Sequence, residues 1–208
     1  MEIKRLILGM VRTNCYIAYT SDTKKAVIID PAADAQRIME EIEALGVTPE
    51  AVLLTHGHFD HMLAAESLKN GYQIPICILE EDAALLARPE LNCSQLFLRM
   101  AYGVSADVLL RDGQQLDFLD GALMVIATPG HTAGSCCYYA AAENVLFSGD
   151  TLFQESVGRT DLPTGRASQI SASIREKLFV LPEQTLVLSG HGMETTIGEE
   201  KLHNPYVL

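Results

Sequence analysis

The 208-residue chain has no tryptophan, few lysines and arginines, and only five cysteines. Each scarcity removes a class of function. Fifteen basic residues stand against 27 acidic ones, a formal charge of −12. Nucleic-acid binding rests on Lys and Arg meeting phosphates, so no nucleic-acid partner is expected. A membrane helix needs ~18 consecutive apolar residues, and no stretch approaches that length, so no membrane partner is expected either. The opening "MEIKRLILGMVRTNC" has a short apolar run that Arg12 interrupts, with no small-residue cleavage site after it. It does not read as a signal peptide, and the expected location is the cytoplasm. Cys15, Cys77, Cys93, Cys136 and Cys137 are odd in number and lack C-x-x-C spacing. That fits reduced, buried thiols better than a disulfide framework or a cysteine zinc site. Cys136 and Cys137 are adjacent, so in a strand they face opposite sides and cannot both serve one site.

What is present is an alternation of strand and helix signals, without repeat or linker, whose length fits one well-buried core over residues 1–208. "IKRLILG", "NCYIAYT" and "KAVIIDP" read as strands. "DAQRIMEEIEALG" spaces Ile38, Ile42 and Leu45 as a helix does, with Asp34 as N-cap and Gly46 as stop. "AVLLT" is a short apolar strand of the fully buried kind. A helix is expected from His61 to Asn70-Gly71, a strand at "IPICIL", and a helical stretch over residues 81–102. "ADVLL", "QQLDFL", "LMVIATPG", "SCCYYAA" and "NVLFSGD" read as short strands between turn dipeptides. A helix over 168–181 and the strand "TLVLSG" follow. Two mixed halves of this kind predict an α/β sandwich, two sheets face to face with helices outside.

The informative feature is where the polar residues interrupt. "HGHFDH", residues 56–61, crowds His56, His58, Asp60 and His61 directly after "AVLLT". His131 follows "ATPG", Asp150 ends "NVLFSGD", and His191 ends "TLVLSGH". Four strands thus finish in a metal-competent side chain, and strand ends are where rigid scaffolds mount chemistry. In extended backbone His56 and His58 project to one side, and Asp60 falls on the same alternation. His61 opens the next helix and points elsewhere, so the cluster can serve two adjacent cations. Burying such groups without a cation would cost on the order of 1–3 kcal/mol for each unsatisfied one. Imidazole and carboxylate suit zinc, iron or manganese, and the lack of cysteine ligands argues against a closed structural zinc site.

At these residues the chain resembles the metallo-β-lactamase fold hydrolases. The matching segments are "THGHFDH" (55–61), "PGHTAGS" (129–135), "FSGDTLF" (147–153) and "GH" (190–191). The resemblance implies a four-layer αβ/βα sandwich with a dinuclear site at its open edge. It assigns His56, His58 and His131 to one metal, Asp60, His61 and His191 to the second, and Asp150 to both. Two divalent ions are implied, zinc first, with iron or manganese also accepted. "SVGRTDLPTG" and "TTIGEEKLHNPY" look most like the glyoxalase II-like subgroup. That implies a small-molecule thioester substrate attacked by a water activated between the metals, with Asp60 and Asp150 as the catalytic carboxylates. The helical domain that gives typical glyoxalase II its glutathione contacts has no room before Leu208. Arg159, Lys201 and Tyr206 are the candidates to line the substrate mouth, with Arg159 pinned to Asp161. Asp30 is a candidate support for the metal loop, and His203 reads as surface. The alternatives on the same fold are a persulfide dioxygenase, with one iron on His56, His131 and Asp150, and a hydrolase of another ester or of a lactam.

Overall fold

The computed structural model describes residues 1–207. The apolar strands of the first half pair in chain order. β1 (Glu2–Leu8), β2 (Thr13–Tyr19), β3 (Lys25–Ile29), β4 (Thr48–Leu53), β5 (Ile76–Leu79) and β6 (Val108–Leu110) form one six-stranded sheet. β1 to β3 run antiparallel, and β3 to β6 run parallel because helices carry the chain back between them. The first crossover is α1 (Ala35–Leu45), which starts where Asp34 accepts a hydrogen bond from the Arg37 N–H and ends at a left-handed Gly46. α2 (Phe59–Met62) and α3 (Ala65–Tyr72) fill the second, and α4 (Ala83–Ala87) and α5 (Ser94–Phe97) lie in the third.

The second sheet is built from β7 (Met124–Ala127), β8 (Cys136–Ala140) and β9 (Val145–Gly149), a small hairpin β10 (Leu152–Phe153) and β11 (Ser156–Val157) leading away from it, then β12 (Leu186–Ser189) and β13 (Thr195–Thr196). Its order is β13-β12-β9-β8-β7, with the hairpin apart. α6 (Ala167–Ser173) continues through a π-type turn at Ile174–Leu178, and α7 (Ile197–His203) follows β13.

Three apolar layers result, as a four-layer sandwich requires. Ile17, Ile28 and Ile76 of the first sheet pack on Ile38, Ile42 and Leu68 of α1 and α3. Ile29, Leu53 and Leu79 meet Tyr138, Phe147 and Leu188 between the sheets. Tyr139, Leu146 and Val187 bury Ile170, Ile174 and Leu178 on the far side. β8 shows the alternation plainly: Cys136 faces the inter-sheet layer and Cys137 the outer one, and all five cysteines are buried and free. No helix of the described residues is long and apolar enough to cross a membrane.

Three expectations need correction. The stretch 81–102 is not one helical run. Asn92 replaces helical bonding with its side chain, donating to the carbonyls of Leu86 and Tyr102 and accepting from the Ser94 N–H. Pro89, which has no N–H to continue a helix, precedes it. "QQLDFL" is not a strand either. Gln115 makes one isolated bridge to Met124, and the Leu119 N–H turns to the Glu50 carboxylate at 2.8 Å. Leu116 and Leu119 serve instead as buried plugs in the inter-sheet layer. Finally, Asp60 is not on the extended alternation of His56 and His58; it lies in the first turn of α2.

Candidate metal centre

The C-terminal ends of β4, β7, β9 and β12 all reach one edge of the sandwich. β9 and β12 are parallel, and β7 shares their direction because both β7 and β9 pair antiparallel with β8. Backbone bonds lock the two sheets together there, from Cys136 N–H to the Thr55 carbonyl (2.8 Å) and from Asn14 N–H to the Gly190 carbonyl (2.7 Å). The side chains that follow those four strands therefore converge.

They converge as two groups. His56, His58 and His131 bring one nitrogen each within 4.8 Å of one another, and a carboxylate oxygen of Asp60 with one nitrogen each of His61 and His191 does the same. Asp150 spans them: its Oδ2 is 3.6 Å from His131 Nε2 and 3.5 Å from His191 Nε2, and its Oδ1 is 3.5 Å from His61 Nε2. Asp60 Oδ2 lies 3.3 Å from His191 Nε2 and 3.7 Å from His61 Nε2. All seven ligands implied by the sequence are thus brought together.

The outward nitrogens fix what the inward ones can do. His131 Nδ1 is 2.7 Å from the Arg159 carbonyl, which can only accept. His61 Nδ1 is 2.9 Å from the Asp30 carboxylate. His56 Nδ1 faces Thr55 Oγ1 at 3.1 Å, and that hydroxyl already gives its proton to Asp30 at 2.7 Å. In each neutral ring Nδ1 therefore carries the hydrogen and Nε2 presents a lone pair inward. His58 points Nδ1 inward, 2.9 Å from His131 Nε2, which is itself 3.2 Å from His56 Nε2. The outer Nε2 of His58 has no partner; with the proton there, three lone pairs would face one another at these distances, an arrangement that a cation between them would relieve. His61 Nε2 and Asp150 Oδ1 are buried with no hydrogen-bond partner. Buried polar atoms are normally satisfied, so these orphans mark where a second cation would bind. The donor set fits a dinuclear metal site on the chemistry of its own atoms.

Electrostatics divides the two halves. Burial, reinforced by the neighbouring imidazoles, pushes His56 well down and His58 to about 3, so both are neutral ligands at ordinary pH. Burial acts the same way on His61, but Asp150, Asp30 and Asp60 together outweigh it and carry the ring up to about 10. Burial would raise Asp60, yet His61, His191 and His58 hold its carboxyl below the usual range. His56 and His58 thus offer neutral nitrogen, whereas His61 and Asp60 set opposite charges side by side.

The Metallo-beta-lactamase superfamily model matches residues 8–191, a span that contains all seven candidate ligands. The chain belongs to that superfamily. Among curated relatives it is similar to the probable metallo-hydrolase YqgX of Bacillus subtilis, 37% identical over 100% of this chain and 98% of the relative. It is similar as well to the hydroxyacylglutathione hydrolase GloC of Haemophilus influenzae, at 34% over 100% and 98%. Among solved structures, BLEG-1, described as a B3 metallo-beta-lactamase, superposes with a TM-score of 0.94 at 42% identity over 99% of both chains. TTHA1623 in a di-iron-bound form superposes at 0.88, with 31% identity over 98% and 99%. Membership together with the converging donors makes the chain a metallo-hydrolase of the superfamily, with a dinuclear site whose metal the donor types leave open.

The superfamily site opens into a cavity of about 380 Å³ whose walls include Val11, Phe59, Phe97, Phe153 and Leu162. Arg159 lines it, with its guanidinium in a two-pronged pair with Asp161 at 2.7 and 2.8 Å. Tyr206 and Lys201 do not. Tyr206 faces a neighbouring depression that it shares with Arg159. Lys201 lies in a separate groove beside Glu183, 3.7 Å away. Lys201 is turned away because the inward face of α7 is spent on Ile197 and Glu200, and Tyr206 lies in the turn after the helix, its N–H bonded to Asn204 Oδ1.

One supporting residue escaped the sequence reading. Asp82 is fully buried, and its carboxylate accepts from Gly57 N–H (2.9 Å), Thr132 Oγ1 (2.7 Å) and Gly134 N–H (2.7 Å). It therefore ties the loop carrying His56 and His58 to the loop carrying His131. The only signal was an apolar strand ending in "LEED", where Asp82 is indistinguishable from its exposed neighbours Glu80 and Glu81.

Proposed function

We propose that the protein is a glyoxalase II-like thioesterase, a dinuclear-metal hydrolase of small-molecule thioesters of the hydroxyacylglutathione hydrolase type. His56, His58 and His131 would hold one divalent ion, and Asp60, His61 and His191 the other, with Asp150 shared. Such a pair supplies Lewis acidity and water ionised near neutral pH. The chain's own contribution is positional. Thr13 Oγ1 donates to Asp60 Oδ2 at 3.4 Å and leaves that carboxylate facing the cavity, where it can accept a hydrogen from the attacking water. Asp30 and the Arg159 carbonyl hold His61 and His131 in the orientation the reaction needs. Apolar walls limit competing water.

The observation that carries the thioester reading is the shortage of acids. Apart from the metal donors, the titratable groups lining the cavity are Cys93, whose thiol burial pushes up, and the guanidinium of Arg159. An amine leaving group needs a proton that neither supplies. A thiolate leaves without one, its conjugate acid having a pKa near about 8.5. The full-length similarity to GloC supports the same reading. Metal-analysed protein should hydrolyse S-lactoylglutathione, and Asp150→Ala should abolish that turnover. No loss of thioester at full two-metal occupancy would refute the proposal.

The similarity to BLEG-1 favours a second reading, hydrolysis of a strained lactam by the same attack. Turnover of a chromogenic cephalosporin at a rate matching or exceeding that of the thioester would establish it. Preparations containing one iron that consume oxygen with a persulfide would favour the dioxygenase instead.

A further inference from the structure

The rim of the metal cavity is apolar well beyond what the cavity itself needs. Among the described residues, eleven large apolar side chains are exposed, and six of them lie on three segments around this mouth. Met10 (73% exposed) and Val11 are on the β1–β2 turn; Leu96 (67%), Phe97 and Met100 are on or just after α5; Met193 (61%) follows His191 by two residues. Val11 and Phe97 line the cavity itself, as does His191, and Met10, Leu96, Met100 and Met193 are their near neighbours in the chain. Phe97 stacks on Phe59 with ring centroids 5.7 Å apart. The Met193 segment is held to β2 by Asn14 Nδ2, which donates to the carbonyls of Ser189 and Gly192. In a chain with 27 acidic residues, the segments "ILGMVR" (7–12), "SQLFLRM" (94–100) and "HGM" (191–193) contain none. Exposed apolar surface concentrated around a cavity marks a binding function, and methionine adapts its shape to varied apolar partners.

We propose that the occupant of this rim is the acyl group of the substrate. The enzyme thus selects thioesters whose acyl part is apolar and long enough to pass from the metal site out between Val11 and Phe97 onto Met10, Leu96 and Met193. The inference rests on the thioesterase reading for the reaction, but not for the binding. The continuity of cavity wall and rim argues for one ligand lying across both. A second copy of the chain seated on the same side chains would close the cavity that the reaction needs open.

The test holds the thiol constant and varies the acyl group. Lactoyl-, butanoyl-, hexanoyl- and octanoylglutathione are compared for kcat/KM on the metal-loaded enzyme. The affinities of butanoate, hexanoate and octanoate are measured in parallel by calorimetry, so that binding is read without turnover. A buried methylene contributes about 0.8 kcal/mol, or about four-fold, and one half-covered on a rim about two-fold. Affinity should therefore rise on the order of sixteen-fold from butanoate to octanoate. Met10→Ser and Leu96→Ser, both at exposed positions, should each reduce that slope. A flat series in both measurements overturns the proposal. So does sedimentation showing a dimer that the two serine variants dissociate, since the rim is then an interface between copies. A steep carboxylate series without hydrolysis of any acylglutathione would sustain the apolar rim while refuting the thioesterase reading.

Discussion

Asp82→Ala tests whether the site is held by a carboxylate that never meets a metal. The substitution removes the acceptor for three donors. Thr132 keeps a partner in Ser135 Oγ at 2.7 Å, so two N–H groups, those of Gly57 and Gly134, are stranded in the interior. An orphaned buried donor costs about 1–3 kcal/mol, which gives about 2–6 for the pair. Against this, burial pushes the Asp82 carboxyl above its ordinary value, outweighing those same three hydrogen bonds, so removing the charge gives some stability back. A net loss of about 3 kcal/mol is expected, and about 1 for Asp82→Asn, which keeps one acceptor and buries no charge. The linkage has a definite sign. The folded protein holds this proton to higher pH than the unfolded chain, so the contribution is complete below the ordinary carboxylate range and lost as pH rises through the raised value. Because Gly57 sits between His56 and His58 and Thr132 follows His131, the first metal should also bind about 10–100-fold more weakly. Urea unfolding of the metal-free variants gives the stability, and competition with a chromophoric chelator gives the affinity. An alanine variant with wild-type midpoint, slope and metal affinity would refute the reasoning.

Three further outcomes follow from the same geometry. Gly190→Ala puts a methyl group into overlap with the Asp150 carboxylate and 2.7 Å from His61 Cε1; a chelator titration should show the second ion lost and the first kept. Asp30→Ala removes the carboxylate that accepts from His61 Nδ1 and from Thr55, and the second ion should bind about 10–100-fold more weakly, with a smaller loss at the first through the Thr55–His56 contact. In the metal-free protein His61, carried up to about 10, holds a proton that the second ion must displace, whereas His58, at about 3, does not. Second-site affinity should rise at least about tenfold per pH unit from neutrality, since His191 is raised as well, and level off above the His61 value. Calorimetry in two buffers of different ionisation enthalpy should find more protons released with the second ion, whose His61 and His191 are both raised, than with the first.

Much of the site was legible because its ligands break an apolar pattern. Nothing in the strands "AVLLT", "NVLFSGD" or "TLVLSGH" prepares for a polar group, so His56, Asp150 and His191 stand out against runs whose only other requirement is packing. α1 was legible for a similar reason, since Asp34, the Ile38–Ile42 spacing and Gly46 all point to one helix. What stayed hidden depends on contacts between distant segments. Asn92 breaks a helix by bonding to Leu86 and Tyr102, and no local propensity announces that. Asp82 meets Gly57 and Gly134 across 25 and 52 residues. Lys201 and Tyr206 sit in a motif that points to the mouth, while the burial of Ile197 and Glu200 orients α7, and Asn204 holds the turn that carries Tyr206.

The charge of the whole chain and the charge at its cavity floor have opposite consequences. A surface of −12 repels anions at a distance. The donor set, however, contains only two carboxylates, Asp60 and Asp150, and the cavity wall adds no other. Two divalent ions would therefore leave the floor net positive within walls of low polarity, where attraction for a developing oxyanion is least screened. Arg12 beside Val11 and Arg99 beyond Phe97 are exposed near the mouth, with Glu194 after Met193 and Asp161 paired to Arg159, so the mouth is less acidic than the rest of the surface. Binding of an anionic thioester should then strengthen with salt where long-range repulsion by the chain dominates, and weaken where the rim dominates. The sign of the salt dependence of kcat/KM reads directly which field the substrate meets first.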